Sequence, residues 1–189
     1  MSQASTPSVV ALVGNPRPAS RTRAAAEHVA GRLAPHLGAD PAGPASAAVT
    51  TVELAAVAGE LFAAERPRVD AALRTVAGAG VLVVATPVYK ASYTGLLKAF
   101  LDAYGPDGLA GVVAVPLVVS GSPAHALVGE AYLRPLLVEL GATVPTRSLT
   151  VTEAELADLD AAVDRWLEKA AEPLRRAVRD AADLAEVLR

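Results

Sequence analysis

The sequence predicts an α/β protein: a three-layer, doubly wound sheet of about five parallel strands, with an extended C-terminal helical segment. Two observations carry this prediction. Short apolar runs alternate with helical patterns along the chain, and two of these runs, V-L-V-V-A-T (81–86) and V-V-A-V-P-L-V-V (112–119), are continuously apolar. Such runs are typical of parallel strands that are buried on both faces. The 189 residues suit a single domain, 1–189.

The first part of the chain supplies two strands and two helices. The run at 8–13 is rich in Val and ends in Gly14, and a helical stretch follows over 20–37. The segment G-A-D-P-A-G-P-A-S (38–46) is a turn-rich loop, and V-T-T-V-E-L (49–54) is the second strand. Apolar residues spaced three and four apart predict a helix over 69–77, just before the third strand.

The second part repeats the alternation. A helix is expected at 94–104, between the two continuously apolar strands, although Pro116 is awkward inside the fourth strand. A helix over 123–140 and a weaker last strand over 142–151 follow. The end of the chain, from 153 onward, is helical, and Pro173 is expected to kink or divide it. One apolar stripe marks its buried face: Leu156, Leu159, Val163, Trp166, Leu167 and Ala170.

Composition excludes several classes of protein. The net charge of −3 and the pI of about 5.6 argue against a nucleic-acid binder. Because Cys is absent, disulfides, thiolate catalysis and Cys-based metal sites are excluded. The three His are scattered without an H-E-x-x-H pair, so we expect no metal site. No signal peptide or membrane-length apolar run is found, and we expect a cytoplasmic protein with no membrane partner.

The first-strand loop, G-N-P-R-P-A-S-R-T (14–22), joins a buried strand to the start of a helix. It lacks the glycine patterns of ATPase and dinucleotide loops. Helix N-terminal N–H groups suit an anion, Arg17 adds a charged fork, and Ser20 and Thr22 add hydroxyl donors. A terminal phosphate monoester fits this set better than a pyrophosphate. In the alternative interpretation, Ser20 only caps the helix and Arg17 is a solvated charge.

After the third strand comes the stretch A-T-P-V-Y-K-A-S-Y-T-G-L-L-K-A-F-L-D (85–102). Two of the chain's seven aromatic residues lie in the part of this stretch that precedes Gly95. A loop at the carboxyl end of a strand can shape a slot for a flat ring, and small residues permit close approach. In the alternative interpretation, this is a turn followed by an amphipathic helix, with Leu96, Leu97 and Phe100 facing the core or a partner.

Residues 85–102 closely resemble the NADPH-dependent FMN reductase family, in particular the branch that serves alkanesulfonate monooxygenases. That branch carries A-T-P-V-Y-K, then small or aromatic residues, then G-x-L-K and L-D. Its first loop, G-S-P-R-x-x-S-R, matches residues 14–21 except that Asn15 replaces Ser. A third match consists of two segments, S-G-S-P-A-H (120–125) and L-R-P-L-L (133–137), which resemble segments of the family at the same spacing. The resemblance covers about residues 8 to 150 and implies a flavodoxin-like fold.

The resemblance also implies the site residues. In the family, the first loop holds the FMN phosphate, the loop after the third strand holds the flavin ring, and the loop after the fourth strand closes the other edge of the ring. The residues of this chain at the matching positions are Asn15, Arg17, Ser20 and Thr22; Pro87, Val88, Tyr89 and Lys90; and Ser120, Gly121 and Ser122. Lys90 is expected near the pyrimidine side of the ring, and the Asn15 amide can still donate.

Hydride transfer needs no protein nucleophile, so we name no acid–base catalyst. His125 is expected to be a helix-terminus or interface residue. Members of the family are dimers or tetramers with the helix after the flavin loop at the interface. The apolar residues of that helix suit either an interface or the core: Leu96, Leu97, Phe100, Leu101 and Tyr104.

The resemblance therefore implies a flavoprotein oxidoreductase that reduces FMN with NADPH, or with NADH, and supplies a partner monooxygenase. A quinone or azo reductase with tightly held FMN is the alternative. A flavodoxin-like electron carrier is disfavoured, because neither its T-x-T-G-x-T loop nor a strongly acidic surface is present. In the sulfonate-linked branch, an extra Tyr bulges the helix after A-H and accompanies release of reduced FMN. That position falls on Ala131, with Tyr132 one residue later.

Overall fold

A computed structural model describes residues 7–37 and 49–187, and the loop expected at 38–46 lies outside these ranges. The described strands are β1 (Val9–Val13), β2 (Thr50–Glu53), β3 (Val81–Pro87), β4 (Val113–Ser120) and β5 (Leu149–Thr152). The described α-helices are α1 (Arg21–Leu37), α2 (Pro67–Ala77), α3 (Gly95–Leu101), α4 (Arg134–Glu139) and α5 (Leu159–Val187). All strand pairs are parallel, in the order β2-β1-β3-β4-β5. The flavodoxin-like doubly wound fold is confirmed.

The sheet is buried on both faces, as its continuous apolar runs predict. Alternate residues point to opposite faces, so Ala11 and Val13 pack with α1 and α5 while Val10 and Leu12 pack with α2 and α3. Every residue of β1 and β4 is buried. The apolar stripe of the C-terminal segment packs against the face of the sheet that carries Ala11 and Val13, as expected. None of the described helices is long and apolar enough to span a membrane.

Pro116 lies inside β4 without disrupting the sheet. The Ala114 N–H donates to the Thr143 carbonyl oxygen (2.8 Å), so the N–H groups of alternate β4 residues point toward the β5 side. The β4–β5 ladder begins only at Leu117 and Leu149. The N–H that Pro116 lacks therefore faces the stretch before Leu149, where β4 and β5 are not yet paired.

Three expected elements were wrong in extent. The helix at 94–104 ends at Leu101, and the strand at 142–151 is reduced to Leu149–Thr152. The strand is short because the Arg134 guanidinium donates to the carbonyl oxygens of Val144 and Thr146 (2.7 and 2.5 Å), which draws these residues into a loop. The single helix expected at 123–140 is instead three short pieces: a 3₁₀ turn (Pro123–His125), a π-helix (Gly129–Leu133) and α4.

Pro173 does not divide the C-terminal helix. After a 3₁₀ turn at Glu155–Asp158, α5 runs without interruption through Pro173 to Val187. Pro173 lies on the exposed side of the helix, where a carbonyl that loses its N–H donor can tilt toward water. The expectation that the proline divides this segment is therefore wrong.

Candidate functional site

The loops that follow the strands meet at the carboxyl edge of the sheet and are joined by backbone hydrogen bonds. The Gly14 N–H donates to the Ala85 carbonyl oxygen (2.8 Å), which ties the first-strand loop to the end of β3. The Val88 N–H donates to the Val119 carbonyl oxygen (3.0 Å), which ties β3 to β4. The strand order reverses at β1, because β2 lies on one side of β1 and β3 lies on the other. Open α/β sheets bind ligands at such a switch point.

Asn15 and Thr22 contact each other inside the first-strand loop. Both are buried, and the Asn15 side-chain amide donates to the Thr22 hydroxyl (3.1 Å). The side-chain oxygen of Asn15 (Oδ1) accepts the backbone N–H of Arg17 (2.9 Å). The Asn15 side chain therefore shapes the loop from within, and the Thr22 hydroxyl keeps its own hydrogen to donate.

The same loop carries donors that no described residue uses. Within 7–37 and 49–187, the exposed Arg17 guanidinium has no hydrogen bond or ion pair, and the N–H groups of Arg21 and Thr22 have no acceptor. Ser20 caps α1, because its hydroxyl oxygen accepts the N–H of Arg23 (3.2 Å). The first turn of α1 contains no acidic residue. The arrangement is a set of unused donors at a helix N-terminus, which suits an anion.

The third-strand loop, residues 88–94, lies between β3 and α3 and contains a tight two-residue turn. Tyr89 and Ser92 exchange backbone hydrogen bonds of 2.9 and 3.1 Å. Lys90 and Ala91 between them have φ of +52° and +60°, the signs of a type I′ turn. Neither residue is glycine, so the turn stores strain at the tip of the loop. Tyr89 is 40% exposed and the Lys90 side chain is exposed, so both are accessible at the edge of the sheet.

Two buried threonines fix the base of the third-strand loop. The Thr94 hydroxyl donates to the Gly14 carbonyl oxygen (2.5 Å), and its oxygen accepts the Leu97 N–H (3.1 Å) as the cap of α3. The Thr94 N–H in turn donates to the Thr86 hydroxyl (3.2 Å). A Cβ on Gly14 would lie 2.8 Å from the Leu97 Cβ, so only glycine permits this approach of the two loops.

The fourth-strand loop, residues 121–122, joins β4 to the 3₁₀ turn. Buried Ser120 donates to the Ser122 carbonyl oxygen (2.9 Å), and the Ser122 hydroxyl accepts the Ala124 N–H (3.2 Å). Gly121 is exposed, and a Cβ built on it would meet no protein atom within 4 Å. Neither packing nor backbone conformation requires a glycine there, so space at Gly121 is free for a ligand.

The interface residues expected on α3 lie mostly in the core. Leu97, Phe100 and Leu101 are fully buried, and Tyr104 packs edge-to-face on Phe100 with ring centroids 6.1 Å apart. The Tyr104 hydroxyl donates to the Leu73 carbonyl oxygen, and burial raises the Tyr104 pKa. The core alternative therefore holds for Leu97, Phe100 and Leu101 of α3.

The π-helix at Gly129–Leu133 is the main irregularity near the site. The Arg134 N–H donates to the carbonyl oxygen of Gly129, five residues back, instead of four. Pro135 follows directly, and a proline ring clashes with the carbonyl four residues before it, which favours a wider turn there. A Cβ on Gly129 would lie 2.5 Å from the Ser148 Cβ, so this turn packs closely against the loop that leads into β5. Tyr132, within the π-helix, is 49% exposed.

Three residues that hold the loops of the site are not among those that the sequence analysis singles out. Glu53, at the end of β2, accepts the Ala19 N–H (2.8 Å), and Thr86 and Thr94 hold the third-strand loop. Thr94 could have been found as a helix cap, because it stands three residues before Leu97 at the start of an apolar pattern. Glu53 could not, because its partner is 34 residues away.

The donors present fit FMN. A charged fork, unused helix N-terminal N–H groups and hydroxyls match the phosphate of an FMN monoester. The accessible third-strand loop and the open space at Gly121 offer room and backbone groups for a flat polar-edged ring. Arg17, Ser20 and Thr22 are the residues that would hold the phosphate, and residues 87–90 and 120–122 would hold the ring.

Comparisons with known proteins agree with this fit. The family model for NADPH-dependent FMN reductase matches residues 7–156. The NADH-dependent FMN reductase SfnE of Pseudomonas putida is 38% identical over 160 residues, 82% of each chain. The NADH-dependent FMN reductase SfnF of Pseudomonas fluorescens (strain Pf0-1) is 32% identical over 188 residues, 95% of this chain and 90% of the relative. The apo crystal structure of NADH:FMN oxidoreductase (EmoB) superposes with a TM-score of 0.73 at 29% identity, covering 94% of this chain and 89% of EmoB.

Proposed function

This chain belongs to the NADPH-dependent FMN reductase family, and we propose that it reduces FMN with NAD(P)H in order to supply a partner monooxygenase. The reductase activity follows from family membership and from full-length relatives that are named for it. The supply of a partner rests on one observation. The π-helix lies where the alkanesulfonate-linked branch, which this sequence resembles, carries its bulge.

The flavin and the nicotinamide supply the redox chemistry, a hydride passing from one ring to the other, and the protein supplies placement and electrostatics. The chain must therefore bind the flavin, orient its ring and leave one face accessible to the nicotinamide. No described residue has to act as a nucleophile, and His125, on a partly exposed 3₁₀ turn, is given no acid–base role.

We assign the phosphate to the first-strand loop. The Arg17 guanidinium gives a charge-assisted contact, Ser20 and Thr22 give hydroxyls, and the first N–H groups of α1 point to the same end. Asn15 contributes by shaping the loop, since its amide contacts Thr22 and its oxygen holds the Arg17 N–H. The Arg17 guanidinium, the two hydroxyls and the first N–H groups of α1 remain able to bind a phosphate, because the first turn of α1 contains no carboxylate that would pair with them.

We assign the ring to the loops after β3 and β4. Pro87 and Val88 are half-buried at the floor, whereas Tyr89 and Lys90 stand at the accessible edge. Lys90 supplies positive charge, which favours an anionic reduced ring. Ser120 and Ser122 hold the fourth-strand loop in a fixed shape beside the open space at Gly121.

Release of reduced FMN requires that the flavin be bound loosely. In our proposal the π-helix serves this requirement and presents Tyr132 to a second copy of the chain in a dimer or tetramer. Leu127 and Val138, on the segments flanking the π-helix, are 72% and 53% exposed and offer further apolar surface for that contact. The proposal makes FMN a diffusible substrate that enters and leaves during each cycle.

The test is the behaviour of FMN during purification and turnover. We expect the protein to purify largely colourless, to lose residual flavin on dialysis, and to oxidise NADH or NADPH with saturable dependence on added FMN. Size-exclusion chromatography with light scattering should show a homo-oligomer. Near-stoichiometric yellow flavin that survives dialysis, with faster turnover of a quinone than of free FMN, would overturn the proposal in favour of a quinone reductase.

A further inference from the structure

Glu53 lies outside the first-strand loop and holds it through hydrogen bonds to Ala19 and Arg23. It is the last residue of β2 and lies opposite Val13 in the parallel register. One carboxylate oxygen accepts the Ala19 N–H (2.8 Å), and the other accepts from the Arg23 guanidinium (3.1 Å). The Glu53 side chain is only 13% exposed. Both oxygens are therefore committed to the loop and to the helix turn that follows it.

The residue that Glu53 holds is in an unfavourable conformation. Ala19 has φ of +50°, the left-handed region that residues with a Cβ rarely adopt. Such a conformation persists only where its surroundings hold it in place. The hydrogen bond from the Ala19 N–H to Glu53 is such a restraint, and it acts one residue before Ser20, where α1 is capped.

A carboxylate beside a phosphate-binding loop would by itself repel the ligand, but the charge of Glu53 is partly offset by Arg23. Arg23 pairs with Glu53 and also with Glu27, whose carboxylate lies 2.9 Å from the Arg23 Nε. Glu27 in turn accepts a hydrogen bond from the Thr51 hydroxyl (3.0 Å) of β2. The result is a network between α1 and β2 in which Arg23, shared by two carboxylates, offsets part of the charge of Glu53 and leaves its contact with Ala19 intact.

We infer that Glu53 is a positioning residue for flavin recognition: it holds Ala19 so that the first-strand loop presents its donors to the FMN phosphate. This inference rests on the proposed phosphate role of that loop. Glu53 touches neither the phosphate nor the reacting atoms. It acts through the loop backbone, from a strand that none of the sequence motifs includes.

The experiment compares FMN with riboflavin, which has the same ring and lacks the phosphate. Affinities are measured by fluorescence quenching for the wild type, Glu53→Ala, Glu53→Gln and the matched control Glu27→Ala. The control removes the other acidic partner of Arg23 without touching Ala19. Thermal melting and steady-state kinetics are recorded for each variant, so that loss of folding is separated from loss of recognition.

We expect Glu53→Ala to weaken FMN affinity about tenfold, which is the scale of one charge-assisted hydrogen bond, and to leave riboflavin affinity unchanged. KM for FMN should rise while kcat is retained. Glu53→Gln should recover part of the loss, because its amide oxygen still accepts from Ala19, and Glu27→Ala should resemble the wild type.

Two outcomes would overturn the inference. The first is an FMN preference in Glu53→Ala equal to that of the wild type. The second is tighter FMN binding, which would mean that Glu53 acts only as a repelling charge. A wild type that binds FMN and riboflavin equally would instead refute the proposed phosphate role of the loop, so the two failures are distinguishable.

Discussion

The Thr94 hydroxyl donates a hydrogen bond to the carbonyl oxygen of Gly14 and so joins the two loops to which we assign the phosphate and the ring of FMN. The Thr94 hydroxyl oxygen also caps α3 by accepting the Leu97 N–H. One buried hydroxyl thus sets both the start of a helix and the spacing between the first-strand and third-strand loops. Its removal has consequences that can be measured separately for stability and for binding.

Thr94→Ala should lower the free energy of unfolding by about 2–4 kcal/mol, because it removes a helix cap and leaves the Gly14 carbonyl without its donor. Thr94→Ser keeps the hydroxyl and should cost less than about 1 kcal/mol. Urea denaturation of both variants measures the difference. Equal losses would mean that the methyl group of Thr94, and not its hydroxyl, stabilises this junction.

Arg17→Ala should weaken FMN binding by about 1.5–3 kcal/mol, the range for a hydrogen bond to a charged group. Riboflavin affinity should hardly change, because riboflavin lacks the phosphate. The Arg17 guanidinium has no partner among the described residues, so stability should also stay close to that of the wild type. Arg21→Ala, which removes the exposed ion pair with Glu153, is the matched control. Equal losses of FMN and riboflavin would remove Arg17 from its assigned role.

Gly121→Val should reduce flavin affinity without loss of stability. A Cβ at position 121 meets no protein atom within 4 Å, so the added side chain extends into the open space that we assign to the flavin. Isothermal titration with FMN measures the affinity of the variant, and thermal melting measures its stability. The proposed place of the fourth-strand loop beside the ring would be refuted by a well-folded variant with unchanged FMN affinity.

Ala91→Gly should raise the free energy of unfolding by roughly 1 kcal/mol, because glycine adopts the positive φ of the type I′ turn without a Cβ penalty. The matched control is Ala126→Gly, since Ala126 has an ordinary φ of −58° and is also exposed. That control should be neutral or destabilising. Stabilisation by both substitutions, or by neither, would contradict the strain that we place in this turn.

The sequence by itself determined the fold class, the family and the positions of the loops to which we assign the flavin. Continuous apolar runs are typical of parallel strands that are covered on both faces, so β3 and β4 follow from the sequence pattern. The first-strand loop and the stretch after the third strand follow from local patterns of Gly, Arg, hydroxyl and aromatic residues. The FMN reductase family was identified from these same residues and is borne out by the match over 7–156.

Only the tertiary structure decided how the loops are shaped. The Glu53–Ala19 and Thr94–Gly14 contacts join residues 34 and 80 positions apart, and no local pattern encodes them. The π-helix arises where Pro135 meets a turn that packs against Ser148, although hydrophobic periodicity alone predicts a regular helix there. Local propensity sets which elements form. Hydrogen bonds between distant residues and close packing set where each element ends and how its loop is held.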